Sequence, residues 1–549
     1  MSIDVTTRSA DAAAPARPLA ASGLAVGHLR ALGWPVAEQD GRLLVAADPW
    51  RASCAFSWSG PVRLPLASEA DVQAACGIWH VHGRRYGGPT PLGVDCAGAA
   101  AGVLGALGTL AALWAAGRDG RAVHVRTSVA QAALLLVGQY LAAASTDDDW
   151  REPVVPGGPP FTSADGVRFE IETLQAEPWQ RFWAGLRVGR REIADGWRPF
   201  QQRFATASCP LPPALPRAAA RRGYTELRAL ARDCGVELTA VAARPEADRS
   251  EADRPEADRS EADGPGAGGP GLPWRLGPTG PGAAGGTGTV GGADELPLRG
   301  VTVVEVTRRV QGPLAGHLLR LLGARVVRIE PPGGDPMRGA PPVAGDCSAR
   351  FTALNRGKRV LEADLRSTAG RAVVREQVAR SQVFLHSLAP GKDREYGLDP
   401  ERLSALRPGL VHVSASGWGA ERGPCPPVGT DYPVQAYSGL AALLTPPGLP
   451  ATPSLLTVTD VLGGLVCAEG AVAGLLAGQR SGQGQRVESS LLSAARLLCA
   501  PGLRSGARPV TPGVPISTDL ADLAADPRFA AALHHDRCAL VRSPWEFTR

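Results

Sequence analysis

The chain carries one pattern twice. Asp95 and Asp460 are 365 residues apart, and the same offset relates Gly105 to Gly470, Leu110 to Leu475, Gly117 to Gly482, Arg121 to Arg486 and Ser128 to Ser493. Both stretches run in one order: an aspartate, an Ala/Gly-rich helical run (uncharged in the first), a Gly-rich turn, an arginine and a second helical run. One coincidence at a fixed offset is chance, whereas six in the same order argue for a duplicated unit. Between the halves the composition breaks. From Arg244 to Gly264 the unit RPEADRSEAD occurs twice, and Gly/Pro/Thr-rich sequence follows as far as Asp294. Such a stretch buries no core and reads as a disordered linker. The expected organisation is a disordered N-terminus at 1–19, a degenerate first copy at 20–243, a low-complexity linker at 244–295 and a second copy at 296–549.

Composition narrows the function classes. With hydrophobic residues at 44% and charged residues at 20%, the chain is globular in type. Lys358 and Lys392 are its only lysines, and the arginine, alanine, glycine and proline excess reads as coding bias rather than function. The net charge of +5 is mild, and no dense basic stripe interleaved with aromatics argues for nucleic acid. The ten cysteines form no CxxC pair and no zinc-like Cys/His spacing, so they read as reduced thiols of a cytoplasmic protein without a metal. The first 22 residues lack the basic start and apolar core of a signal peptide. Residues 96–117 carry no charge and match a bilayer in length, but their Ala/Gly content suits a buried core helix better than a membrane span.

The second half opens as α/β. Residues 301–306 form a short β-branched run, Gly312 and Pro313 lead into a helix through Leu322 with Gly323 as its stop, and 324–330 reads as a second strand. That βαβ start predicts a parallel, Rossmann-like sheet. Residues 383–385 and 410–414 fit further strands, and 369–380 and 400–406 fit helices. In the first half, 22–33 echoes 312–323, but the flanking strands are weak.

These residues carry a family resemblance. The run LRGVTVVEVTRRVQGPLAGHLLRLLGARVVRIEPPGGDPMR, at 298–338, resembles the opening of the family III CoA-transferases, which include carnitine and formyl-CoA transferases. LNRGKRVLEADLRSTAGR at 354–371, the block at 388–419, TDYPVQAYSGL at 430–440 and the block at 457–495 follow in the family's order. In the first half, 89–113 is similar to the family's aspartate segment, and 159–186 to the small domain that follows it. Residues 513–529 resemble the returning segment near the family's end. The resemblance implies an α/β fold with a Rossmann-like parallel-sheet domain plus a smaller α+β domain. Family members form interlocked dimers, so the duplicated chain is expected to be a tandem pseudo-dimer, either as a monomer or within a homodimer.

The implied activity is transfer of coenzyme A between an acyl-CoA and a carboxylic acid, with CoA as substrate and no permanently bound cofactor. Asp460 matches the family's nucleophile, although Asp is also a favoured helix N-cap. Asp95, in the same local setting, is a possible second nucleophile. Gln311 matches a position near the thioester in some members, and Asp431 an acidic position that orients substrate. The CoA phosphates call for cationic and backbone donors, and the resemblance points to Arg338, Arg356, Lys358 and Arg359, with Ala363 beside them. Thr430 stands where the racemase branch has a histidine, so an acyl-CoA racemase or isomerase lacks its second acid/base group here. A non-catalytic CoA-binding scaffold is the other alternative. His317, His386 and His412 sit in apolar or mixed runs and read as packing residues.

Overall fold

The computed structural model describes residues 17–147, 154–249, 271–279, 296–423, 426–505 and 511–549. Most of the N-terminus expected to be disordered, and most of the expected linker, lie outside the described residues. At the centre are two helices of 24 residues each, Cys96–Asp119 and Val458–Ser481, packed against one another. Each also packs on a shorter helix, Leu19–Ala31 in the first half and Gln311–Leu321 in the second. Glycine allows the approach. A Cβ added at Gly102 would lie 2.8 Å from the Ala21 carbonyl oxygen, and one at Gly464 would lie 2.9 Å from that of Gln311. Backbone therefore meets backbone at equivalent points of both halves, with Leu24 and Leu314 filling the adjacent space. The uncharged, bilayer-length stretch at 96–117 is buried inside this layer.

The structure corrects the register of the repeat. The long helices end at left-handed glycines, Gly120 and Gly482, each at φ 70°. Strands Val123–Ser128 and Gln485–Ser490 follow, and their last serines cap the next helices. Upstream, Gly77 and Gly439 are again both left-handed. All these pairs stand 362 residues apart, not 365. A slip of three residues is close to one helical turn of about 3.6 residues, so it returns small residues to nearly the same helix face and generates false identities. In the structural register Asp95 corresponds to Thr457, and Asp460 to Gly98.

Each half contributes a sheet that a strand from elsewhere in the chain completes. The second half's seven strands run Arg359–Glu362, Arg325–Glu330, Thr302–Val306, Val383–His386, Val411–Ser416, Gln485–Ser490 and Trp274–Pro278. The first six are parallel, as the βαβ start predicts. The seventh is antiparallel and comes from the span read as a linker, so a strand occupies part of that span. In the first half, Val36–Gln39, Arg42–Ala47 and Trp50–Ser57 form an antiparallel meander in place of the βαβ front. Val123–Ser128 adds in parallel, and Glu546–Thr548, from the chain's end, closes the edge. The two closing strands are anchored alike. Trp274 lies over Gly470 and Trp545 over Gly108, filling space that a Cβ would occupy, and the Trp545 indole donates to the Leu104 carbonyl at 2.8 Å.

A smaller α+β unit follows the first sheet. Strands Phe161–Thr162, Arg168–Glu172 and Glu237–Ala240 form its sheet, with the helices between them packed around an aromatic core that includes Trp179 and Trp183. Its sheet docks on the second half's helix Asp431–Ser438. The second half ends instead in a short helix, Leu520–Ala525, and the hairpin Leu533–His535/Ala539–Val541, both lying on the first half's helix Val129–Ala144.

A buried hydrogen-bonded pair joins the long helix of one half to the short helix of the other. His28 Nδ1 lies 3.0 Å from Glu469 Oε1, and neither side chain is more than 2% exposed. Burial raises the Glu469 carboxyl above its ordinary range, and His28 opposes that shift. Removing one partner strands the other without water. Glu469→Ala is expected to cost about 3–5 kcal/mol in chemical denaturation, and pairing Glu469→Leu with His28→Leu should recover most of that loss.

Candidate active site

Helix Val458–Ser481 begins without a side-chain cap, because Thr457 makes no capping hydrogen bond. Its first-turn N–H groups need partners from elsewhere. Asp431, the first residue of Asp431–Ser438, supplies one: its Oδ2 accepts the Asp460 N–H at 2.8 Å. Its Oδ1 accepts a short hydrogen bond from the Gln435 amide. Gln435 is in turn held by Ser454, whose N–H donates to Gln435 Oε1 at 2.7 Å. Asp431 is buried, and burial, opposed by these hydrogen bonds, pushes its carboxyl up to about 6. One of its oxygens thus holds the backbone at 460, and the other is held by Gln435.

Asp460 stands in the first turn of the helix, not before it, and its side chain is partly exposed. Burial holds its carboxyl well above the usual range, the Asp431 charge adds to the shift, Arg309 opposes it and Glu172 adds again. Among the described residues no donor is hydrogen-bonded to its carboxylate. Asp460 lines a narrow cleft between the two halves. Glu172, Phe200 and Arg203 of the first half's small unit line one wall; Arg309, Thr430, Tyr432 and Asp460 of the second half line the other.

The small unit is pinned there by charge. Arg203 Nη2 lies 3.3 Å from Glu170 and 3.2 Å from Glu172, and its guanidinium lies over the rings of Phe200 and Tyr432 at 3.7 and 4.5 Å. The Thr430 hydroxyl donates a short hydrogen bond to Glu172, so this residue ties the two halves together. Arg309 has φ 67°, is exposed, and sits 6.0 Å from the Phe204 ring. Gln311 is nearby at the start of its helix. Its side-chain nitrogen would lie 3.2 Å from a Cβ at Gly463, and it has no hydrogen-bond partner although buried.

The residues expected to hold CoA are mostly engaged with other groups of the protein. Arg338 grips Glu330 with two hydrogen bonds, at 2.8 and 2.9 Å, and lies over Phe351. Ala363 donates its N–H to the Glu330 carbonyl. Arg359 is exposed on the edge strand. Arg356 turns to the C-terminal hairpin, donating to the Val541 carbonyl. Lys358 does not fit the expectation. Its ammonium is fully buried against Glu305 (2.8 Å), the Pro313 carbonyl (2.7 Å) and Asn355 (2.9 Å), which uses its three donors internally. Burial lowers it to about 8. The sequence reading missed Arg328, buried and bound to Glu305, Glu330 and Asp335. Its signal was Arg328 and Glu330 two apart on one strand, pointing to the same face.

Asp95 lies outside the cleft. It is the N-cap of Cys96–Asp119, and its Oδ1 accepts from the Ser505 hydroxyl at 2.8 Å. The first half nevertheless repeats the carboxylate clamp. Glu69 accepts the N–H groups of Ala97 and Gly98 at 2.8 Å each, and Gln73 donates to Glu69 at 2.8 Å. Glu69 and Gln73 thus match Asp431 and Gln435, while Gly98 leaves no carboxylate where Asp460 has one. His317, His386 and His412 are buried, and burial lowers all three.

A family model described as CoA-transferase family III matches residues 53–280 and 298–522. Succinate–glutarate CoA-transferase of Agrobacterium fabrum is 35% identical over 205 residues, covering 36% of this chain and 51% of that protein. Acetyl-CoA:oxalate CoA-transferase of Acetobacter aceti is 34% identical over 202 residues, again 36% of this chain and 51% of the relative. A solved CaiB/BaiF family protein from Brucella suis is 33% identical and covers 37% of this chain and 55% of its own, at a TM-score of 0.35. The chain spans about half the length of the curated relatives it matches.

The clamps carry a pH signature. Burial is the leading cause that pushes Glu69 and Glu170 up to about 7, from 4.5, and Asp431 to about 6, from 3.8. An acid that holds its proton more tightly when folded adds stability that is complete below its unfolded pKa and is lost as pH rises through the folded one. The contribution of these three groups is therefore expected to fall between pH 4 and 7, by up to about 1.4 kcal/mol per pH unit for each. Thermal unfolding across that range should show a shallower fall for Glu170→Gln than for the wild type.

Proposed function

The chain belongs to CoA-transferase family III, and on that footing we propose that it moves coenzyme A from an acyl-CoA donor to a carboxylic acid through Asp460. One observation carries the reading: an unpaired carboxylate in the first turn of a long buried helix, facing a cleft, with its own backbone clamped by Asp431. The Asp460 carboxylate attacks the donor thioester carbonyl, forming a mixed anhydride and releasing the CoA thiolate. The thiolate attacks the aspartyl carbonyl, giving an aspartyl–CoA thioester and the free donor acid. The acceptor carboxylate then attacks that thioester, and the thiolate released takes the new acyl group, restoring Asp460.

The raised pKa of Asp460 has a consequence for this scheme. A carboxylate destabilised by burial and by Asp431 is a better nucleophile than one in water, provided it is ionised when the donor binds. Asp431 acts as a positioning residue, since its oxygens are already engaged. Gln311, beside the same first turn, has a free amide available to a developing oxyanion. Arg338, Arg356, Arg359 and the backbone at Ala363 are the groups proposed to meet the nucleotide part of CoA, with Lys358 as an internal counter-ion to Glu305 rather than a contact.

In this reading the chain is a tandem pseudo-dimer with one working site. The exchanged strands Trp274–Pro278 and Glu546–Thr548 support that arrangement, as does the docking of the first half's small unit over the second half's Asp460. The reciprocal site has Gly98 in place of a nucleophile. Asp460→Ala is expected to lower CoA transfer by at least roughly 10³-fold, while Asp95→Ala leaves it largely intact. Hydroxylamine added during turnover should yield a hydroxamate at position 460. Loss of transfer in Asp95→Ala alone would overturn the assignment.

A further inference from the structure

The scheme above has an electrostatic difficulty. Twice in each cycle a free carboxylate, first the departing donor acid and then the acceptor, must stand beside Asp460. The cleft is already acidic, with Glu172, Asp431 and Asp460 on its walls. Arg203 does not relieve this, because it faces two glutamates, Glu170 and Glu172, with one charge. Bringing another anion into such a site is costly without a dedicated cation.

Arg309 has the properties such a cation needs. It lines the cleft opposite the small unit. Among the described residues it makes no hydrogen bond and no ion pair; its one ring contact is Phe204. Its backbone is left-handed at φ 67°, a conformation that an arginine adopts only at a cost and that glycine adopts freely. An arginine held in a strained backbone conformation at a cleft, its charge acting on Asp460 and its guanidinium held by no hydrogen bond, is kept for something other than the fold. Arg203, on the opposite wall, adds a second indication: its Nε and Nη1 are buried without hydrogen-bond partners.

We propose that Arg309 binds the carboxylate of the acid substrate and holds it for attack on the aspartyl thioester. The inference rests on Asp460 being the acyl-carrying group. A planar, two-pronged guanidinium suits a carboxylate, and pairing there offsets the incoming charge at the stage when Asp460 is tied up as the thioester. The thioester donor brings no charge at its reacting carbonyl, so Arg309 serves the free acids, departing and incoming, rather than the thioester.

The test uses the full chain with succinyl-CoA as donor and glutarate as acceptor, alongside a panel of other acyl-CoA and acid pairs. Formation of the aspartyl–CoA thioester is followed by mass spectrometry and its discharge by acid is followed kinetically. Arg309→Gly relieves the backbone, so it is expected to fold at least as well as the wild type. It should still form the thioester, but with an acceptor KM raised roughly 10- to 100-fold and a donor KM little changed. Arg309→Lys should recover part of the loss, and Arg308→Gln, at an exposed position outside the cleft, should leave both constants unmoved. An unchanged acceptor KM in Arg309→Gly, with the thioester forming and discharging normally, overturns this inference alone. Absence of any thioester in the wild type across the panel overturns the underlying reading and this inference with it.

Discussion

The architecture depends on how closely two glycine-bearing helices can approach their neighbours. Gly102 and Gly464 let the backbone of a short helix rest directly on a long one, at the same point in each half. Once those contacts are made, the long helices Cys96–Asp119 and Val458–Ser481 lie against one another and everything else is arranged around them. Larger side chains there would hold the helices apart and disturb the whole layer, because packed interiors yield little. The closing tryptophans depend on the same device, since Gly108 and Gly470 provide the space that the indoles fill.

The N-termini of the long helices show how one construction came to differ between the halves. Both are clamped by a carboxylate from a neighbouring helix that is itself held by a glutamine four residues on. The clamp satisfies backbone donors whatever the function. The held residue itself differs between the two: Asp460 in the second half, Gly98 at the equivalent place in the first. Chemistry is therefore separable from architecture. The first half keeps the clamp and contributes its small unit to the cleft, while the second half keeps the acid that faces it.

Much of this was legible in the residues. The strands and helices of the second half follow from β-branched runs and from Gly312 and Gly323, and the burial of 96–117 from its composition. The existence of a repeat was legible too, but its register was not. In a helix made of alanine, glycine and leucine, one turn looks like the next, and Asp95 fell into apparent equivalence with Asp460. The turn glycines and the Glu69–Gln73 and Asp431–Gln435 pairs hold the true register, since each performs a geometric task that a shift of three positions destroys. The interior fate of Lys358 was hidden because its partners, Glu305 and Asn355, are remote or unremarkable in sequence and meet it only through the fold. Arg309 and Arg203 were hidden for a similar reason, as the cleft joins residues from both halves.

The crossing of closing strands also orders events during synthesis. A nascent chain emerges from its N-terminus, so the strand Trp274–Pro278 is available before the sheet it will complete has been made. The first half has the opposite history. Its own strands are finished early, yet the edge along Val123–Ser128 stays uncovered until the distant strand Glu546–Thr548 has been made. An exposed strand edge is an invitation to pair with a neighbouring chain. The half that is translated first is thus the half that must wait, and its protection comes from a strand made long after it.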